Sequence, residues 1–147
     1  MTALQAWHDH IKRPDPQALH DLLDDQVTFD SPVVHATQHG RRITHAYLTA
    51  AVAVLGGPDF RYIGEWHSDD GAVLEFSTVI DGVTINGIDI LRFTDDGQRI
   101  AAFKVMIRPL KAVNLVHQLM GATLAAQRAP SATSSASGVK GSSPDPG

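Results

Sequence analysis

Apolar positions recur three and four apart in the opening part of the chain, two apart through its middle, and three and four apart again towards its end. Residues 3–12 and 15–24 read as two short helices broken at Arg13-Pro14-Asp15-Pro16, because each proline disfavours helix in the residue before it. Asp15 is placed to cap the second, where Ala18, Leu19, Leu22 and Leu23 make one apolar stripe. Residues 27–29 predict a brief strand, 31–40 a loop, and 41–55 a third helix stopped by Gly56-Gly57-Pro58. From Phe60 the period changes to two, and 60–66, 72–80, 83–93 and 100–108 predict four long strands. Asp69-Asp70-Gly71, Asp81-Gly82 and Asp95-Asp96-Gly97 separate them with the chemistry of tight hairpins, which makes an antiparallel meander. After Pro109, residues 110–126 return to helical spacing. Helices gathered first and last around an antiparallel sheet make an α+β domain.

Composition narrows the function classes. The 147 residues suit one domain, expected over 1–128, followed over 129–147 by a Ser/Ala/Pro/Gly segment too poor in large apolar side chains to order itself. No run approaches the roughly 18 apolar residues of a membrane span. A net charge of -4 without a basic stripe argues against nucleic acid as a partner. The absence of cysteine removes disulfides, thiolate nucleophiles and zinc-thiolate sites. The start of the chain lacks the basic and apolar regions of a secretory signal, so a cytoplasmic location is expected. Eight histidines are scattered: His35 and His39 have the four-residue spacing that a helix juxtaposes but lie in a segment read as loop, and His8 and His10 are only two apart, so neither a metal nor any other cofactor is expected.

The strand Ile88-Asp89-Ile90-Leu91 holds the most informative polar residue. Alternation puts Asp89 on one face with Gly87, Leu91 and Phe93, and a carboxyl on an inward apolar face resists ionisation. The other reading turns Asp89 outward to pair with Lys104 or Arg92. Tyr62 and Trp66 share parity on their strand, as Leu74 and Phe76 do on the next, while Phe103, Val105 and Ile107 oppose Lys104, Met106 and Arg108 on the last. These faces suit either a pocket lining or a core beneath helices.

The element order, with Leu22-Leu23-Asp24-Asp25-Gln26-Val27-Thr28-Phe29-Asp30-Ser31-Pro32-Val33-Val34, Gly87-Ile88-Asp89-Ile90-Leu91-Arg92-Phe93 and Val105-Met106-Ile107-Arg108-Pro109, resembles the nuclear transport factor 2-like superfamily and, within it, the SnoaL-like branch. That resemblance implies a cystatin-like, cone-shaped curved antiparallel sheet with N-terminal helices and a C-terminal helix. It also implies a cup for a small lipophilic molecule, and a homodimer in which Met106, Ile90 and Val79 on the outer face meet a second copy. A more distant likeness to ketosteroid isomerase implies Asp89 as a neutral proton donor and Asp30 as general base, although anchoring on Pro32 aligns Ser31 with that base instead. The tyrosine of that family would fall near Ala6, Trp7 or His8, where the chain has none. The resulting expectation is an isomerase, cyclase or hydrolase using Asp89 and Asp30, with a pocket of Trp7, Tyr62, Trp66, Phe76, Leu91, Phe103 and Val105. The alternative is a non-catalytic ligand-binding or dimeric interaction module.

Overall fold

Ten elements follow one another in a computed structural model that describes residues 1–139. Helix α1 (Ala3–Lys12) opens with a capping box in which the Thr2 side chain accepts the Gln5 N–H and the Gln5 side chain accepts the Thr2 N–H. Helix α2 (Pro16–Leu22) has proline at its first position and the Asp15 carboxylate accepting from the N–H groups of Gln17 and Ala18. Strand β1 (Leu23–Asp30) follows at once and is longer than its apolar core suggests. Strand β2 (Gln38–His39) lies within the segment read as loop, and α3 (Arg41–Leu55) comes next. Then come β3 (Arg61–Ser68), β4 (Gly71–Ile80), β5 (Val83–Phe93), β6 (Ile100–Arg108) and helix α4 (Leu110–Val139). Helix α4 runs into the part of the chain read as a tail, and residues 140–147 of that tail lie outside the described residues.

The sheet order is β2-β1-β6-β5-β4-β3, curved and unclosed. The meander β3 to β6 is antiparallel throughout, and the β4–β5 turn has Asp81 at φ 51° and Gly82 at φ 75°, the left-handed pair that a two-residue hairpin needs. The sheet as a whole is mixed, not wholly antiparallel, because β1 returns from the helices to pair parallel with β6, Phe29 opposite Phe103. The α+β class stands, and the correction comes from this one non-local pairing.

One face of the meander carries Leu74, Phe76, Ile85, Leu91 and Phe103, all almost fully buried. Helix α3 adds Leu48 and Leu55 to the same core, and α4 adds Ala112, Val116 and Met120. Gly87 sits inside it because a Cβ there would fall 2.4 Å from the Phe76 ring and 2.6 Å from the Met106 carbonyl oxygen. The bare backbone at 87 lets the Phe76 ring lie across β5.

Candidate functional site

A cavity of about 230 Å³ opens between this face and the helices. Trp7 and Ile11 of α1, Leu48 and Leu55 of α3, and Val116 and Met120 of α4 form its helical walls. Phe29, Phe76, Phe103 and Val105 line it from the strands, and Ser31, Pro32 and Val33 contribute from the loop after β1. An apolar cavity of about 150 Å³ accommodates a benzene, so this one suits a body of one to two rings. Among the described lining residues, Lys12, Tyr62 and Asp89 carry ionisable side chains.

Asp89 projects into the cavity from the centre of β5, flanked in register by Leu74 on β4 and Val105 on β6. It is 6% exposed, and burial among these apolar neighbours pushes its carboxyl up to about 7, against the opposing effect of the Tyr62 hydroxyl. The outward alternatives do not form: Arg92 pairs with Asp70 at 3.1 Å, and Lys104 is exposed on the other face. Tyr62 donates its O–H to Asp89 Oδ2 at 2.5 Å, and Trp7 donates its indole N–H to the Tyr62 oxygen at 2.9 Å. Burial first, and the neighbouring Asp89 charge second, hold the Tyr62 phenol well above its ordinary range, so it remains a donor. Against Trp7 packs the buried His10, 5.7 Å between ring centroids, whose Nδ1 accepts the Asp15 N–H; its burial lowers its pKa and favours the neutral ring.

The remaining sequence-derived residues separate into two groups. Trp7, Tyr62, Phe76, Phe103 and Val105 line the cavity. Trp66, Leu91 and Asp30 do not, each for its own reason. The β3–β4 register shifts between Tyr62 and Gly64, so a bulge at Ile63 reverses the alternation and turns Trp66 outward, 57% exposed. Leu91 faces inward but is packed between Ala72 and Phe103, away from the open space. On β1 the buried positions are Leu23, Val27 and Phe29; Asp30 has the opposite parity and accepts the Thr37 hydroxyl at 2.6 Å, while Ser31 regains the inner parity and lines the cavity. The structure therefore brings Asp89 and Ser31 to the cavity and leaves Asp30 outside it.

The Trp7–Tyr62–Asp89 chain has no signature in the sequence. The family likeness places a phenol near residue 7, but the phenol arrives from β3, whose Tyr62 lies opposite Phe76 and thus diagonal to Asp89 across two strands. Gly64 inside a strand pattern is the one local sign of the bulge. Lys12 at the cavity edge also carries no sequence signal of its own, and the helical spacing that includes Met120 marks a covering face without saying that it walls a cavity. Among the described residues no three His, Asp or Glu side chains gather as metal ligands, and no helix is long and apolar enough to cross a membrane.

Comparison with known proteins agrees with this architecture. The SnoaL-like domain family matches residues 4–103. A steroid delta-isomerase from Pseudomonas aeruginosa is 35% identical, with 86% of this chain and 92% of that chain covered and a TM-score of 0.81. An uncharacterised bacterial protein with a cystatin-like fold from Silicibacter pomeroyi is 26% identical over 82% of this chain and 83% of its own, with a TM-score of 0.74. A protein with a ketosteroid isomerase-like fold from Catenulispora acidiphila is 19% identical over 76% of this chain and 88% of its own, TM-score 0.56, a likeness of fold alone. No curated protein matches the chain.

Proposed function

The chain belongs to the SnoaL-like domain family, and from that premise we propose that its cup takes a small lipophilic carbonyl compound on which Asp89 acts as the proton-exchanging group. The observation that carries this reading is a single carboxyl, Asp89, set in an apolar cavity with its pKa raised to about 7. A group half ionised at neutral pH both removes a proton and returns one. The reaction class that needs one such group is proton transfer within the ligand: the carboxylate takes a proton from a carbon beside the carbonyl, the C–H electrons pass into an enolate, and the acid so formed delivers the proton to another carbon. Isomerisation or cyclisation fits this; the similarity to a steroid delta-isomerase at 35% identity supports it. A second carboxylate as base is not part of the proposal, since Asp30 is bound to Thr37 outside the cavity. Cavity size favours one or two rings over a four-ring body.

Incubation of cyclic enones, lactones and polyketide-like aromatics with the protein in deuterated water tests the proposal across several ligand classes at once. Deuterium is expected to enter carbons beside the carbonyl of the ligands that bind. Asp89→Asn is expected to bind them within a few-fold while exchange falls by about 10²- to 10⁴-fold. Binding with no exchange in the wild type would instead establish the cup as a non-catalytic binding module.

A homodimer is the accompanying proposal, favoured by the outer face of the sheet. Ile63, Trp66, Val79 and Met106 lie there 43% to 57% exposed, with Ile90 among them. Apolar side chains clustered on one sheet face suit a self-complementary contact. Sedimentation velocity is expected to find a dimer for the wild type and a monomer for Met106→Glu; a wild type still monomeric at about 10 μM, where a dimer of micromolar affinity would have formed, would end the idea.

A further inference from the structure

The hydrogen-bond chain behind the cavity has a direction, and its direction is set at the end farthest from the ligand. An indole N–H donates and never accepts. With Trp7 donating to the Tyr62 oxygen at 2.9 Å, the phenol proton is turned away from Trp7 and towards Asp89 Oδ2, the acceptor it reaches at 2.5 Å. A second proton on Oδ2 would collide with that one, so when Asp89 is neutral its proton sits on Oδ1. Oδ1 has no hydrogen-bond partner among the described residues and belongs to a residue that lines the cavity. We propose that Trp7 is a positioning residue that sets this direction, so that neutral Asp89 offers its proton to the cavity through Oδ1 and the cup selects molecules carrying a hydrogen-bond acceptor at their buried end. This rests on the cup being a ligand site, and it adds which chemistry the site recognises and which residue imposes it. Tyr62, committed to Asp89, is not a second donor to the ligand.

The groups that face the chain restrict what else can titrate. Strands β4 and β6 present Leu74 and Val105 to Asp89, and α3 and α4 present Leu48, Val116 and Met120 to the cavity. From α1, His8 meets the Tyr62 ring edge-on at 5.6 Å and pairs with Glu65 at 2.6 Å, His10 packs on Trp7, and Lys12 stands at the cavity edge. Glu65 in turn is paired with His67. A histidine contribution to any pH profile is therefore separated by repeating the profile in Asp89→Asn, which keeps all three histidines.

Two probes of equal shape test the proposal: acetophenone, which accepts a hydrogen bond, and α-methylstyrene, in which a methylene replaces the carbonyl oxygen. Their affinities are read from protein NMR shifts across pH 5.5 to 8.5. The wild type is expected to prefer acetophenone about fivefold at pH 5.5, the worth of one hydrogen bond, and to lose the preference through a midpoint near neutrality. In Trp7→Phe the phenol is free to turn, the acid proton can be directed inward to Tyr62, and the preference at pH 5.5 is expected to fall below about twofold. In Tyr62→Phe no inward acceptor remains and the carboxylate loses its donor, so the preference is expected to survive at pH 5.5 and to persist to higher pH than in the wild type. Asp89→Asn is expected to give a profile without a midpoint near neutrality.

A role for Trp7 in packing alone would weaken both probes together at every pH. Equal binding of the two probes by the wild type would overturn the proposal and leave the cup reading in place. Binding of neither would overturn both. A preference unchanged in Trp7→Phe, or one lost equally in Tyr62→Phe, would remove Trp7 from the role assigned to it.

Discussion

Asp89→Asn is expected to be more stable than the wild type at pH 8, by up to about 4 kcal/mol, and to lose that advantage at pH 4. In the unfolded chain the carboxyl titrates near its ordinary 3.8, whereas in the folded protein burial raises it to about 7. Between those values the folded state holds a proton that the unfolded state has released. Stability therefore falls as pH rises, at about 1.4 kcal/mol for each pH unit, and the loss is complete above the folded value. Below about pH 4 both states are protonated and the group has no effect. The Asn amide keeps the size of the neutral acid, accepts from the Tyr62 hydroxyl as Asp89 does, and has no charge to bury. For a domain of this size 4 kcal/mol corresponds to roughly 10 °C or more in Tm. Thermal melts of the two proteins at pH 4 and pH 8 check this, because the other titrating groups are common to both. A variant equal to or below the wild type at pH 8 would mean that Asp89 is solvated in the folded state and that the acid–base reading of the cup is wrong.

Phe103→Ala is expected to cost about 3–5 kcal/mol, the usual range for removing a buried aromatic ring. Phe103 is 1% exposed and lies opposite both Phe29 on β1 and Leu91 on β5. Its ring meets Trp7 edge-on at 4.9 Å and Phe29 at 6.1 Å, so one side chain joins the first helix, the parallel strand pair and the cavity wall. Folded domains have only about 5–15 kcal/mol to lose, and the midpoint of urea unfolding should drop accordingly. The space vacated adjoins the cavity, so the same variant is expected to regain stability with ligands one ring larger than those the wild type accepts. A loss under about 1 kcal/mol would show that the wall collapses onto the vacancy and that the cavity volume is not held open by this ring.

Much of the fold was legible because it is written in local terms. The break between α1 and α2 follows from two prolines, the span of α3 from the Gly-Gly-Pro stop, and the β4–β5 hairpin from Asp81-Gly82. Strand alternation likewise put Asp89 on one face with Gly87 and Leu91, and the packing of the helices made that face the buried one. The same rule misplaced Trp66, because alternation holds only while the register holds, and one extra residue at Ile63 inverts every position after it. It left Asp30 and Ser31 unresolved, since a family motif aligned by its proline and one aligned by its acidic pair differ by one residue, which in a strand is the difference between outside and inside.

What the sequence by itself determined is therefore the main helices and long strands, the hairpin order of β3 to β6 and the face that Asp89 shares with Gly87 and Leu91, all consequences of periodicity and turn chemistry within a few residues. Tertiary structure alone decided that β1 pairs parallel with β6, that Trp66 leaves the cup and Ser31 enters it, and that Trp7 and Tyr62, 55 residues apart in the chain, form one hydrogen-bonded chain with Asp89. Those outcomes depend on strand partners, a bulge and the curvature of the sheet, and a periodic pattern says which face a side chain occupies without saying what stands opposite it.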